Sequence, residues 1–205
     1  MKKITILMLL VMMSGINVLF AQSKGDMYVG TMLGMEITQH TSKYDNNKVK
    51  DKPWIKLEID PGFHYFIADN FRIGAQMGFA TDSQKSHDDN SKYKHGTFVV
   101  GGVAAYYFQI ADHFYFTPEL GFYFAHQKNT NEVGGASKSY KSNGFMLQIL
   151  PAMLEFRPTT HFGFSASLLG LEFTHLKSKQ DSKSKTNDIA FALGLRPQIG
   201  VKYYF

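Results

Sequence analysis

The chain has 205 residues, a formal net charge of +5, no cysteine, and 18 Phe and 11 Tyr against a single Trp. Without cysteine there are no disulfide staples and no lipid-modified N-terminal cysteine. Beyond the first twenty residues there is no apolar run of bilayer-spanning length, so a membrane helix is excluded and the aromatic load needs another explanation.

Met1-Lys2-Lys3 is a short cationic start, followed by a stretch from Ile4 to Phe20 broken only by Thr5, Ser14, Gly15 and Asn17. Ala21-Gln22 then offers a small residue for cleavage. That order is the pattern of a secretory signal peptide over 1–21, leaving one domain over 22–205.

From there two textures alternate. Polar, lysine- and serine-rich stretches lie near 41–53, 82–94, 128–142 and 177–187. Short turns sit at Ala68-Asp69-Asn70, Ile110-Ala111-Asp112 and Arg157-Pro158-Thr159-Thr160. Between the breaks the spacing predicts eight strands, at about 27–39, 54–67, 71–81, 95–109, 113–127, 144–156, 161–176 and 188–205. An even number of strands, with tight turns alternating with longer loops, is the wiring of a bacterial outer-membrane barrel.

Three strands show the period-two alternation best. Phe71, Ile73, Ala75, Met77 and Phe79 oppose Arg72, Gly74, Gln76 and Gly78. Phe114, Phe116, Leu120, Phe122 and Phe124 oppose Tyr115, Thr117, Glu119, Gly121 and Tyr123. In the last strand, residues from Ile189 to Phe205 oppose a set that includes Arg196, Gln198 and Lys202. Pro61, Pro118, Pro151 and Pro197 fall inside strands and mark bulges or ladder breaks, since proline cannot donate to a ladder. They leave the facing of the second and sixth strands open.

A soluble barrel alternates as well, so the polar faces must decide. Here they are small and neutral with sparse charges, as expected inside a narrow barrel. Of the 20 Lys and Arg that follow Lys3, 14 lie in the four long polar stretches. Keeping cations off lipid-facing positions explains that sorting. Val201, Tyr203 and Phe205 end the chain with an aromatic and alternating apolar residues, the usual signal to the barrel-assembly machinery. The expected fold is therefore an all-β, eight-stranded, antiparallel up-and-down transmembrane β-barrel in the outer membrane.

The whole exported segment resembles the small eight-stranded outer-membrane β-barrel family, related in fold to OmpX and the OmpA membrane domain, in the version common in Bacteroidota. The resemblance rests on the order of five short motifs. They are Gly25-Asp26-Met27-Tyr28-Val29-Gly30, Tyr65-Phe66-Ile67-Ala68-Asp69-Asn70, Tyr106-Tyr107-Phe108, the Lys-Ser-Lys-rich stretch of 177–185, and Gly200 to Phe205. It implies location and fold, and no particular activity.

Catalytic signatures such as Gly-x-Ser-x-Gly or His-Glu-x-x-His are absent, so no enzyme and no cofactor are expected. His40, His95, His126 and His175 fall at loop-proximal strand ends. A turn centred between Ile110 and Ala111 would place His95 across from His126, near enough to share a metal ion; a solvated rim explains the histidines equally and is preferred. A lipid A-modifying esterase would need Ser137 or Ser139, with Glu132, beside a histidine. Glu36, Glu58, Arg72, Glu119, Arg196 and Lys202 read as a polar network filling the lumen. The loops carry 14 Lys against seven acids and, facing outward, would meet the phosphates of lipopolysaccharide or a surface ligand. Nucleic-acid binding is not supported, because the basic residues lack aromatic interleaving. The expected role is a structural or surface-interaction protein with a closed polar lumen. The alternatives are a periplasmic lipocalin-like binder of an apolar ligand and the lipid A-modifying enzyme.

Overall fold

The computed structural model describes residues 23–38, 41–44, 47–50, 54–85, 92–133, 136–180 and 184–205, and the expected signal segment lies outside them. The strands are β1 (Met27–Thr38), β2 (Thr41–Tyr44), β3 (Asn47–Lys50), β4 (Trp54–Ala68), β5 (Phe71–Lys85) and β6 (Lys92–Tyr106). They continue as β7 (Phe108–Ala111), β8 (Phe114–Phe116), β9 (Glu119–Val133), β10 (Ala136–Phe156), β11 (Phe162–Gln180) and β12 (Ser184–Tyr204).

Strands β1, β4, β5, β6, β9, β10, β11 and β12 pair in that order, and β12 returns to β1 to close an eight-strand ring. β7 and β8 carry β6 and β9 on to their turn. β2 and β3 form a separate hairpin within the first long connection. Closure of the ring leaves no sheet edge for lipid to meet except where a ladder stops short.

Side-chain facing follows the pleat. Val29, Leu33, Ile59, Phe63, Ile73, Phe79, Leu120, Phe122, Phe124, Ile199 and Val201 are exposed on the outside, while Tyr28, His64, Arg72, Glu119, Tyr123 and Lys202 are buried in the lumen. A lipocalin-like barrel requires the opposite arrangement, so that alternative is corrected: the phenylalanine side chains of the stripes, Phe79, Phe122 and Phe124 among them, are exposed on the outside of the barrel.

The prolines act through the backbone, though not uniformly. Pro118 separates β8 from β9. Pro151 lies at the register shift between Ile149 and Ala152, and Pro197 at the shift opposite Ser167 and Leu169. Pro61 makes a ladder break without a bulge: it pairs with Thr31 in β1, but the β4–β5 ladder has no pair at Asp60 or Pro61 and resumes in the same register at Gly62–Gln76. The β1–β12 ladder runs from Tyr28–Tyr204 only to Gly34–Gln198, directly before Pro197, whereas β1 stays paired with β4 as far as Thr38–Trp54. Proline has no N–H with which to extend that seam.

Two sequence expectations need revision. The second short turn is Asp112-His113, with His113 at φ 63, as Asn70 is at φ 62 in the first. The shifted turn moves the β6–β9 register, so His95 faces Asn129 and His126 faces Phe98. The polar stretches 82–94, 128–142 and 177–187 are also largely strand. Both faces there are polar, which hides the period from a hydrophobic pattern. Cross-strand bonds between side chains, such as Thr130 with Ser139 at 2.9 Å, run along them.

Candidate functional site

The lumen has two unlike halves. At the short-turn end, which faces the periplasm in barrels of this kind, β1, β4, β5, β8, β9, β10 and β12 each point large side chains at the axis, as does Tyr107 between β6 and β7. Tyr28, Phe66, Tyr107, Tyr115 and Tyr204 form a buried aromatic cluster. Phe66 and Tyr107 meet edge to face at 5.1 Å, and Tyr28 stacks on His64 at 4.3 Å.

Two ion pairs are set into this cluster. Arg72 bonds Glu119, and Lys202 bonds Glu155. Each carboxylate and cation is at least nine-tenths buried, so an unpaired member would bear a large desolvation cost. Neighbouring side chains add further bonds, although Arg72 Nε has no partner among the described residues. Tyr107 donates to Glu155 at 3.2 Å, Tyr204 donates to the other oxygen of Glu155, and Lys202 also donates to Tyr107 at 3.2 Å. Arg72 Nη1 lies 2.7 Å from His64 Nδ1. A guanidinium only donates, so Nδ1 accepts and the ring proton sits on Nε2. The guanidinium carbon of Arg72 is 5.4 Å from the Tyr28 ring centre, and that of Arg157 caps Tyr204 from the periplasmic side at 3.7 Å.

Glycine makes room for the His64 ring. A Cβ at Gly74 would stand 2.2 Å from His64 Nδ1 and 2.7 Å from the Phe63 carbonyl oxygen. The free space among Tyr28, Asp60, His64, Arg72, Glu119 and Lys202 is about 20 Å³, roughly enough for one water. A middle layer follows, where Tyr123 donates to Gln76 at 2.6 Å and Gln198 to Asp60 at 3.1 Å.

Toward the long hairpins the lumen widens into a cavity of about 420 Å³. Lys56, Glu58, Asp82, His95, Thr97, Gln127, Glu172 and Thr174 supply its polar lining. Lys56 and Glu58 approach to 4.0 Å, and Thr174 donates to Glu172 at 3.0 Å.

The residues singled out from sequence therefore divide. Arg72 and Glu119 meet each other. Lys202 joins Glu155, which sequence reasoning missed, along with His64, Tyr107 and Tyr204. Glu58 belongs to the wide half, and the side chains of Glu36 and Arg196 lie outside the described residues. Val201, Tyr203 and Phe205 face outward on the last strand, and the Phe205 N–H donates to the Met27 carbonyl at 3.1 Å.

His95 and His126 do not come together. His95 bonds Asn129 and lies 2.9 Å from Thr97 inside the barrel, while His126 bonds Asn143 at 2.6 Å on the outside. Among the described residues no three His, Asp or Glu side chains cluster to hold a metal ion. Ser137 stands opposite Glu132, whose carboxylate accepts from Lys94 at 2.8 Å.

Solved structures share this architecture at low identity. The attachment invasion locus protein Ail of Yersinia pestis is 15% identical, with 89% of this chain and 99% of that one covered at a TM-score of 0.46. OprG of Pseudomonas aeruginosa is 14% identical, with 89% and 97% covered at 0.48. A major outer membrane protein of Thermus thermophilus is 10% identical, with 88% and 99% covered at 0.50. No curated protein matches the chain in sequence. The model of the outer membrane protein beta-barrel domain matches residues 6–196, nearly the whole chain. With an outward apolar belt, a closed eight-strand ring and that match, the chain belongs to the outer-membrane β-barrel domain family and is a protein of the outer membrane.

Proposed function

We propose that this barrel is a structural or surface-interaction protein whose business is conducted by its extracellular hairpins and not through its lumen. The observation that carries the reading is the periplasmic plug, in which Arg72–Glu119 and Lys202–Glu155 are set among four tyrosines with almost no free volume. An ion crossing that layer would have to pull both buried ion pairs apart, each costly to separate. The basic hairpins supply the complementary half: 14 of the chain's lysines belong to those four stretches, at the end that meets whatever approaches the cell.

The test is electrical. Protein that shows a heat-dependent gel shift, and is therefore folded, should give no stepwise conductance in planar bilayers at neutral pH. Steady openings from the wild-type protein would sink the closed-lumen reading and make the wide cavity the mouth of a pore.

A further inference from the structure

The outer face of the long hairpins carries an arrangement that a merely soluble loop does not need. His95 and Gln127 line the lumen, and Ser142 and Leu176 are buried in it. By the pleat, their neighbours Lys94, Lys128, Lys141 and Lys177 point outward, and all four are exposed. They lie on adjacent strands β6, β9, β10 and β11. Lys128 is directly opposite Lys141. Lys94 is diagonal to Lys128, since Thr130 is its partner and Gly96 faces Lys128. Lys177 is diagonal to Lys141, because its partner is Asn143.

Like charges directly opposed on one face destabilise a sheet. Yet among the described residues only Lys94 of the four has a carboxylate within ion-pair distance, that of Glu132. The pairing also recurs. Lys43 opposes Lys48, Lys85 opposes Lys92, and Lys179 opposes Lys185, so each of the four extracellular hairpins holds two lysines in direct register.

The height of the row identifies what neutralises it. On each strand the lysine stands four positions outward from a phenylalanine of the same face: Phe98 below Lys94, Phe124 below Lys128, Phe145 below Lys141 and Phe173 below Lys177. Aromatic rings of this kind mark the interface of the apolar band. Four strand residues rise roughly 13 Å, and somewhat less along the membrane normal in a tilted strand. That level is the headgroup layer, so lysines standing above a phenylalanine belt face phosphates and not hydrocarbon or bulk water.

We propose that Lys94, Lys128, Lys141 and Lys177 form a binding row for the phosphate groups of an outer-leaflet glycolipid. This deepens the surface-interaction reading and rests on the hairpins facing outward, but it does not depend on the lumen being closed. A conducting barrel would overturn the earlier proposal and leave this one standing.

The experiment uses the full folded protein in non-ionic detergent, titrated with lipid A bearing both phosphates and with the same lipid dephosphorylated. Wild-type protein should prefer the phosphorylated form by about a hundred-fold at low salt, given what each lysine near an anionic surface contributes. The preference should shrink as salt rises. Lys128→Gln/Lys141→Gln/Lys177→Gln should abolish it, the corresponding arginine replacements should restore it, and Lys24→Gln at the periplasmic end should leave it intact. Heat-dependent gel migration of each variant shows that it is folded. A triple variant that keeps the preference, or a wild type that shows none, overturns the proposal. So does a soluble sulfated disaccharide that displaces the lipid as well as phosphorylated lipid A does, because the row would then read free anions and not a headgroup held at this height.

Discussion

The two halves of the barrel solve opposite problems with the same eight strands. The periplasmic half is filled: the paired carboxylates and cations Arg72–Glu119 and Lys202–Glu155 are buried and matched one to one, and the Tyr107 and Tyr204 hydroxyls bond the second pair. The extracellular half is open inside and charged outside. Its lumen keeps a cavity of about 420 Å³, and its hairpins place lysine opposite lysine. Loss of a single charged partner should therefore cost more in the periplasmic half, where the survivor is left buried, than in the extracellular half, where water reaches it. Burial explains why charge is costly in one place and cheap in the other.

The division is tested most severely by removing one carboxylate from each half. Glu155→Ala leaves Lys202 buried without its counter-ion and should cost about 3–5 kcal/mol, as broken buried pairs do. Glu172→Ala, in the wall of the open cavity, removes a carboxylate that accepts from Thr174 at a site water reaches, and should cost less, about 1–2 kcal/mol. Urea unfolding from lipid vesicles would measure both. Equal losses would mean the two halves are not energetically distinct. Glu155→Gln combined with Lys202→Met should recover most of the loss, because a neutral pair carries no uncompensated desolvation of charge.

A smaller effect separates the halves by packing alone. Gly74→Ala pushes a methyl group into His64 and the Phe63 carbonyl, and should cost about 1–3 kcal/mol, the range for overpacked cores. Gly96→Ala, where a Cβ meets nothing within 4 Å, should stay within about 0.5 kcal/mol of wild type. If Gly74→Ala were as neutral as Gly96→Ala, the seat of His64 would be looser than its contacts imply.

The same division governs how much could be read from sequence. Where one face was apolar and the other polar, as along Phe71–Phe79 and Phe114–Phe124, the pleat fixed both the strand and the side its residues face. Arg72 and Glu119 were placed in the lumen on that basis, and they meet there. Glu155 was missed because the shift around Pro151 lets Leu150 and Met153, three residues apart, both point inward, so counting from either end of the strand puts the other end on the wrong face. The aromatic members of the plug gave no signal of their own, since a tyrosine suits lumen, rim and lipid interface alike. The His95–His126 pairing failed on a turn: Asp112-His113 lacks the glycine that usually announces a two-residue hairpin, yet His113 takes the left-handed conformation. The hairpin extensions looked like loops because a sheet that is polar on both faces has no hydrophobic period to detect.

The smallest expected effect lies at the tip of the third hairpin and tests whether its charges are held or merely solvated. The Glu132 carboxyl sits below its ordinary value, first because Lys94 donates a hydrogen bond to it, against an opposing effect of desolvation, and then because the charges of Lys94 and Lys92 lie nearby. A carboxyl depressed in the folded state stabilises that state above its unfolded value, and the contribution is lost as pH falls through the lower folded value. At so exposed a site water and salt screen most of this, so the global unfolding curve should barely move with acid. The readable quantity is local: the side-chain carboxyl resonance of Glu132 should titrate below that of an isolated glutamate, and Lys94→Gln should bring it back up. A Glu132 that titrates normally in the wild-type protein would mean that the Lys94 contact is not kept in solution. Lys94 would then stand without a counter-ion, as Lys128, Lys141 and Lys177 do among the described residues, and the row would carry one more charge for an anionic headgroup to neutralise.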